Sequence, residues 1–232
     1  MRSSSRPALL AAALLATAVA GVPALPAAAA PAAPRPAAAA VLTAGDATGD
    51  ALAAGDLLAA PLAATTRATF YSTATSTTGV TCGTSQFTAT VLTNPAAPGT
   101  ATESLTGMAF GSCTSNVTGV TAVKSLTVGN LPYTVAVDDS AGYPVTLTAG
   151  TAGPIQATAV LSTWFGTITC AYQLSGAFTG SADNTAHGLA FRNEHFAKSG
   201  GSGLCPADGY FSATYGPVTD TSRPGSPAVH IN

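Results

Sequence analysis

Cys82 and Cys113 lie at matching distances from a loop marked by Pro and Gly, and this symmetry constrains the chain more than any other feature. The stretch TCGTSQFTATVLT starts one arm at Thr81, TESLTGMAFGSC ends the other at Cys113, and NPAAPGTA joins them. Both arms alternate apolar residues with Thr, Ser or Gly, the period of a half-buried strand. A hairpin with Thr93 opposite Thr102 also sets Cys82 opposite Cys113, Phe87 opposite Met108 and Ser85 opposite Phe110, with Val91 on the same face. Facing residues of an antiparallel pair have Cα atoms about 4.5–5.5 Å apart, within disulfide reach. Sulfur pairing and an apolar face therefore agree on one register, and a slip of one residue would break both. Four cysteines allow three connectivities. This register selects Cys82 with Cys113 and leaves Cys170 with Cys205 by elimination.

Disulfides need an oxidising compartment, and the N-terminus supplies the expectation of one. MRSSSRP is short and cationic, through Arg2 and Arg6. It precedes an apolar run of about 15 residues, short for a membrane span. Small residues suited to signal peptidase follow, with Ala27 and Ala29 or Ala18 and Ala20 at the required spacing. Residues 1–30 thus read as a signal peptide for the general secretion route, since Arg2 and Arg6 are not adjacent. Residues 31–55 read as an Ala/Pro-rich linker, with PAAPRPAAAA a disordered tether and residues 41–55 a short helix or an extended lead-in. Residues 56–232 read as a single all-β domain. Zinc binding through the cysteines is disfavoured, because none stands at CxxC spacing.

Only 8% of the residues are charged, against roughly 25% in ordinary globular chains. Disorder does not follow, because 47% of the chain is hydrophobic and disordered chains lack apolar residues. The solvent face must be built from Thr, Ser, Asn, Gly and Gln. The formal net charge is −2, and loss of Arg2 and Arg6 with the signal makes it more negative. No basic stripe exists, so electrostatic binding to nucleic acid or anionic lipid has no support from the sequence.

Strand-like runs recur along the rest of the chain. ATFYSTA, the paired runs of VKSLTVGNLPYTVAV, PVTLTA, GYFSATYGPV and PAVHIN all alternate. DDSAGY reads as a turn, and PIQATAVLSTWFGTITCAYQL as a long hairpin bent at Phe165 and Gly166. HGLAFRNEHFA reads as a short strand pair with a turn at RNEH. No amphipathic helix interrupts this pattern after Asp56. The expected fold is all-β, an antiparallel β-sandwich or irregular barrel with two disulfides.

TCGTSQFTATVLTNPAAPGTATESLTG, NLPYT, SADNTAHGLAFRN and SATYGPVTDTSRPGSPAVHIN resemble a family of small secreted actinobacterial proteins with no assigned activity. The resemblance covers residues 56–232 and carries no catalytic residues. More distantly, a cysteine-bearing strand, a hairpin and a Leu-Pro-aromatic element are similar to the bacterial alkane-oxidation activator (PraA/PraB-like) proteins. Those are secreted, β-rich and associated with extracellular matrix. Tyr133 stands where they tend to carry Trp.

Candidate chemistry is sparse. Asp183, His187, Glu194 and His195 could assemble a metal or acid–base site, but the spacing matches no helical ligand pair and RNEH reads as a turn. Asp138, Asp139, Ser140 and Gly142 offer oxygens for calcium, yet no bidentate Glu follows, and the same residues suit a hairpin turn. GGSGL comes nearest to the GxSxG nucleophile pattern and fails at its last position. Glu103, Glu194, Asp138 and Asp183 are scattered, so no pair stands out for glycoside hydrolysis. Trp164, Phe165, Tyr172, Tyr133 and Tyr143 offer rings for a sugar-stacking platform, although aromatics in β domains more often fill the core. Trp164 and Tyr133 are retained as candidate binding residues.

The expected function is that of a secreted, non-enzymatic structural or binding protein at the cell surface or in the extracellular matrix. No cofactor, metal, nucleic acid or membrane span after processing is expected. Its expected partners are a cell-wall or matrix component, with self-association through uncharged strand edges. The alternatives are a secreted hydrolase assembled around His187, Glu194 and His195, and a small-molecule-binding β-barrel.

Overall fold

The computed structural model describes residues 38–232, so the expected signal peptide and the start of the linker lie outside the described residues. All regular structure within them is strand. In chain order the strands are β1 (Leu42–Ala44), β2 (Leu57–Pro61), β3 (Ala68–Tyr71), β4 (Gly79–Thr93) and β5 (Thr100–Ser115). Next come β6 (Val120–Gly129), β7 (Tyr133–Asp138), β8 (Pro144–Thr148), β9 (Gln156–Thr163) and β10 (Gly166–Leu174). The last five are β11 (Phe178–Asp183), β12 (Gly188–Gly201), β13 (Asp208–Tyr215), β14 (Thr219–Asp220) and β15 (Val229–Ile231).

Of the two expected architectures the chain adopts the barrel. Strands β11, β8, β7, β5, β4, β3, β13 and β12 pair antiparallel in that order, and β12 returns to β11 to close eight strands. The β4–β5 hairpin has the expected register: Cys82 faces Cys113, Ser85 faces Phe110, Phe87 faces Met108 and Thr93 faces Thr102. Irregularities after Thr88 and after Val91 shift the pairing and then restore it. Both disulfides, Cys82–Cys113 and Cys170–Cys205, are formed.

Strand β12 takes two partners along one edge, within a single continuous sheet. Residues Gly188–Phe191 pair with β11, whereas Phe196–Gly201 pair with β10, which continues to β9 and β6. Arg192 and Asn193 bulge between the halves, with Asn193 at φ 54°. The expected turn at RNEH is therefore a bulge in one continuous strand. A bulge bends a strand and lets it leave one partner for another, and a polar AsnGlu pair mimics a turn in sequence.

The barrel interior is filled, as eight strands leave room for little beyond side chains. Phe87, Ala89, Val91, Val135, Val137, Phe178, Phe191 and Phe211 point inward. Rings meet edge to face: Phe178 with Phe191 at 5.1 Å and Phe87 with Tyr215 at 5.3 Å between centroids. Tyr215 is fully buried, and its hydroxyl donates to Ser85 Oγ at 2.9 Å while Ser85 donates to the Ala109 carbonyl at 2.8 Å. The outward residues of β4 include Thr84, Gln86 and Thr88. Apolar inside and Thr outside is the inverse of a barrel that spans a bilayer.

One end of the barrel is plugged by residues 40–55 and by the C-terminal strand β15. Strands β1 and β15 pair with Leu42 opposite Ile231, and Val41, Leu42, Leu52, Val229 and Ile231 are buried there. Asn94 Nδ2 donates to the Leu42 and Leu52 carbonyls, and Asn232 Nδ2 to the Ala40 carbonyl. Residues 40–55 thus belong to the folded body rather than to a linker. Their Ala, Gly and Asp content masked three apolar residues that bury fully once the C-terminal strand pairs with them.

Arg223 fastens this plug. It donates to the Ala51 carbonyl at 2.7 Å and approaches Asp56 Oδ2 at 3.3 Å. Its Nε lies 2.8 Å from Oδ2 of the buried Asp220, as an ion pair rather than a well-directed hydrogen bond.

Candidate functional site

Outside the eight barrel strands, the β10–β9–β6 extension that continues from β12 ends in an apolar rim. Strands β9 and β10 are joined by two residues, Trp164 and Phe165, between the paired Thr163 and Gly166. Two-residue hairpin loops usually demand positive φ at their central positions. Here Gly166 takes φ 120°, and neither Trp164 nor Phe165 does so. Thr163 Oγ1 donates to the Gly166 carbonyl at 2.8 Å and accepts from Phe165 N at 3.2 Å. Trp164 N donates to the Gly119 carbonyl at 3.4 Å, which ties the tip to the β5–β6 loop.

This bracing holds two aromatic side chains in solvent. Trp164 is 73% exposed, Phe165 95% and Leu204 73%. Leu204 rides on the loop whose base is the Cys170–Cys205 disulfide. Between hairpin and loop runs a groove of about 260 Å³ walled by Val117, Val120, Leu161, Phe165, Ile168 and Leu204. An apolar groove bordered by exposed apolar side chains is the usual mark of an interaction site.

Two lysines flank the rim. Lys124 Nζ donates to Thr167 Oγ1 at 2.8 Å, and Lys198 Nζ to the Cys205 carbonyl at 3.4 Å. Residues 117–129, 156–174 and 196–207, which build this end, contain both lysines and no carboxylate. The first acid beyond them, Asp208, is held by His195 Nε2 at 2.7 Å.

Of the two expected binding residues, Trp164 is exposed at the hairpin tip, next to Phe165, which lines the groove. Tyr133 is not: it is 2% exposed, donates to the Gly129 carbonyl and accepts from Gln156 N at 3.1 Å. Its ring fills the core because β7 alternates with Tyr133, Val135 and Val137 inward. Desolvation pushes its hydroxyl up from the usual tyrosine range. Tyr172 is likewise buried, and burial with the nearby Asp208 charge raises it to about 12.

The expected acid–base cluster is dispersed. His187 donates from Nδ1 to the Val229 carbonyl at 2.9 Å, near the plug. His195 lies outward on the far half of β12, stacked on Tyr210 at 4.8 Å. Glu194 points the other way, buried, and accepts from Thr179 N at 2.9 Å. Burial raises its carboxyl, and that hydrogen bond opposes the shift. Among the described residues no group of three His, Cys, Asp or Glu side chains stands close enough to hold a metal ion.

Asp138 and Asp139 serve their turn. Asp138 accepts from Ser140 N and Thr100 Oγ1; the Ser140 side chain, then Thr100 and the Ser140 backbone, hold its carboxyl below the usual range, and Asp139 accepts from Gly99 N. Asn116, in the sequence Asn-Val-Thr, is occupied too: it accepts from Gly79 N and donates to the Thr77 carbonyl, both at 2.8 Å.

Glu103 faces the barrel interior beside voids of only about 20–30 Å³. Its carboxyl is raised to about 7 by desolvation, and no described group offsets the shift. Such voids hold about one water rather than a ligand.

Leu204 and the groove walls were not expected from sequence. Their signal was present in TWFG: a strand turn normally carries polar residues, so two large apolar side chains there have no local role. Comparison with protein-family models, with curated proteins and with solved structures found no match.

Proposed function

We propose that this chain is a secreted, non-enzymatic β-barrel domain that binds a component of the cell surface or extracellular matrix through its apolar rim. One observation carries the reading: Trp164, Phe165 and Leu204 stand exposed together beside an apolar groove while the barrel interior is packed. Displaying three large apolar side chains on a braced hairpin and loop has no value for folding, because none of them enters the core. Two disulfides accord with an oxidising destination.

The other readings draw less support. A hydrolase centred on His187, Glu194 and His195 needs groups that converge, and these point apart. A small-molecule barrel needs an internal cavity far larger than the voids beside Glu103. Self-association through strand edges needs an edge free of charge. The terminal strand β6 instead carries exposed Lys124 and two register shifts against β9, features that blunt an edge.

Fractionation of producing cells into medium, wall and matrix, with mass spectrometry of the mature N-terminus, tests the proposal. Recovery in the wall or matrix fraction, with residues 1–30 removed, is expected. Recovery of an unprocessed chain in the cytoplasm would refute it.

A further inference from the structure

We propose that the rim docks onto the interface of an anionic lipid bilayer, with Trp164, Phe165 and Leu204 entering the acyl boundary and Lys124 and Lys198 meeting the headgroups. This inference rests on the reading of the rim as the binding site and names its partner.

The first argument is chemical. A lipid interface accepts Trp, Phe and Leu at one level and rewards cations just outside it. The rim has that order, with the aromatic pair at the hairpin tip, Lys124 on Thr167 beside it, and Lys198 further back, at the level of Tyr172 and bonded to the Leu204 loop at Cys205. Hydrogen bonds to Thr163 and Gly119 already fix the tip, so insertion orders little more of the chain.

The second argument is the distribution of charge over the whole molecule. Asp46, Asp50, Asp56, Asp138, Asp139 and Asp220 gather at the plugged end, around β1, the Gly99 turn and Arg223. Glu103 and Glu194 are buried, Asp183 lies beside His187 near the plug, and Asp208, the one acid next to the rim segments, is partly exposed and bonded to His195. An anionic surface therefore repels the plugged end and attracts the rim, and the resulting orientation presents the apolar tip.

A second copy of the chain fits less well. A two-fold contact through the rim sets the same patch against itself. Lys124 and Lys198 would then meet like charges with no carboxylate in the building segments to pair them.

Trp164 is the only tryptophan in the chain, so its emission reports the tip alone. The purified mature protein is titrated with vesicles of phosphatidylglycerol and phosphatidylcholine in equal parts, and with phosphatidylcholine alone. A blue shift on the mixed vesicles is expected, together with quenching by brominated acyl chains and weaker binding at high salt. Phe165→Ser with Leu204→Ser is expected to lower partitioning about tenfold or more, as loss of buried apolar side chains implies. Lys124→Gln with Lys198→Gln is expected to weaken binding to the mixed vesicles only. Circular dichroism checks that both variants fold.

Unchanged emission at saturating lipid overturns the proposal. So does a blue shift that grows with protein concentration in the absence of lipid, which would assign the rim to a second copy. If vesicles fail while retention in the wall or matrix still requires Trp164 and Phe165, the lipid partner falls and the rim stands as a binding site. If both fail, both readings fall.

Discussion

Cys82 lies directly across from Cys113 on β4 and β5, and their disulfide pins a register that continues to Thr93 opposite Thr102. The bond closes a separation of 31 residues, for which the chain-entropy model gives a stabilisation of about 3–4 kcal/mol. Replacing both cysteines with serine is expected to lower unfolding stability by that order in denaturant titrations, with the Cys170–Cys205 bond retained.

Glu103 sets a pH dependence. Its carboxyl is raised from the ordinary 4.5 to about 7 in the folded barrel, so the folded chain holds a proton that the unfolded chain has released. The Glu103 contribution to stability is therefore greatest below about pH 4.5, falls as pH rises through that window and is flat above about 7, a loss on the order of 3 kcal/mol. Glu103→Gln is expected to flatten this slope and to stabilise the protein at pH 8, as read by thermal melts across pH. A slope unchanged in the variant would show that Glu103 is not its source.

Arg223 compensates the charge of Asp220, which is fully buried. Removing one partner of a buried pair leaves an uncompensated charge and costs about 3–5 kcal/mol. Arg223→Ala is expected to fall toward the low end, because Arg223 remains partly solvated. Amide exchange should rise first in β1 and β15, which the plug holds together. Loss of protection across the whole barrel instead would show that the plug is not a separable unit.

Tyr215 and Ser85 form a buried polar pair within an apolar interior. Ser85→Ala leaves the tyrosine hydroxyl without that acceptor and is expected to cost about 1–3 kcal/mol in denaturant titrations. Pairing the change with Tyr215→Phe should recover much of the loss, since both polar groups are then gone.

The parts of this fold that were legible in sequence are those written in local period. The alternation of β4 and β5 carried the register, and the spacing of two cysteines checked it independently. The DDSAG turn and the hairpin bend at Phe165–Gly166 were legible because turn chemistry is local. What stayed hidden depends on partners distant in sequence. Val41 and Leu42 look like linker residues until Val229 and Ile231 pair with them. Arg192 and Asn193 have turn composition, yet pairing of β12 on both sides keeps the strand continuous through a bulge. Tyr133 and Trp164 are both aromatics near turns. Only the closed barrel separates them, placing one ring in the core and the other in solvent.

The rim is tested most directly by replacing Trp164 and Phe165 with alanine and measuring retention on the envelope of producing cells beside the parent protein. Both side chains are exposed, so fold and disulfides should be unchanged by circular dichroism and thiol titration. Release of the folded variant into the medium, with the parent retained, is the expected result. Equal retention of variant and parent would contradict a binding role for this rim.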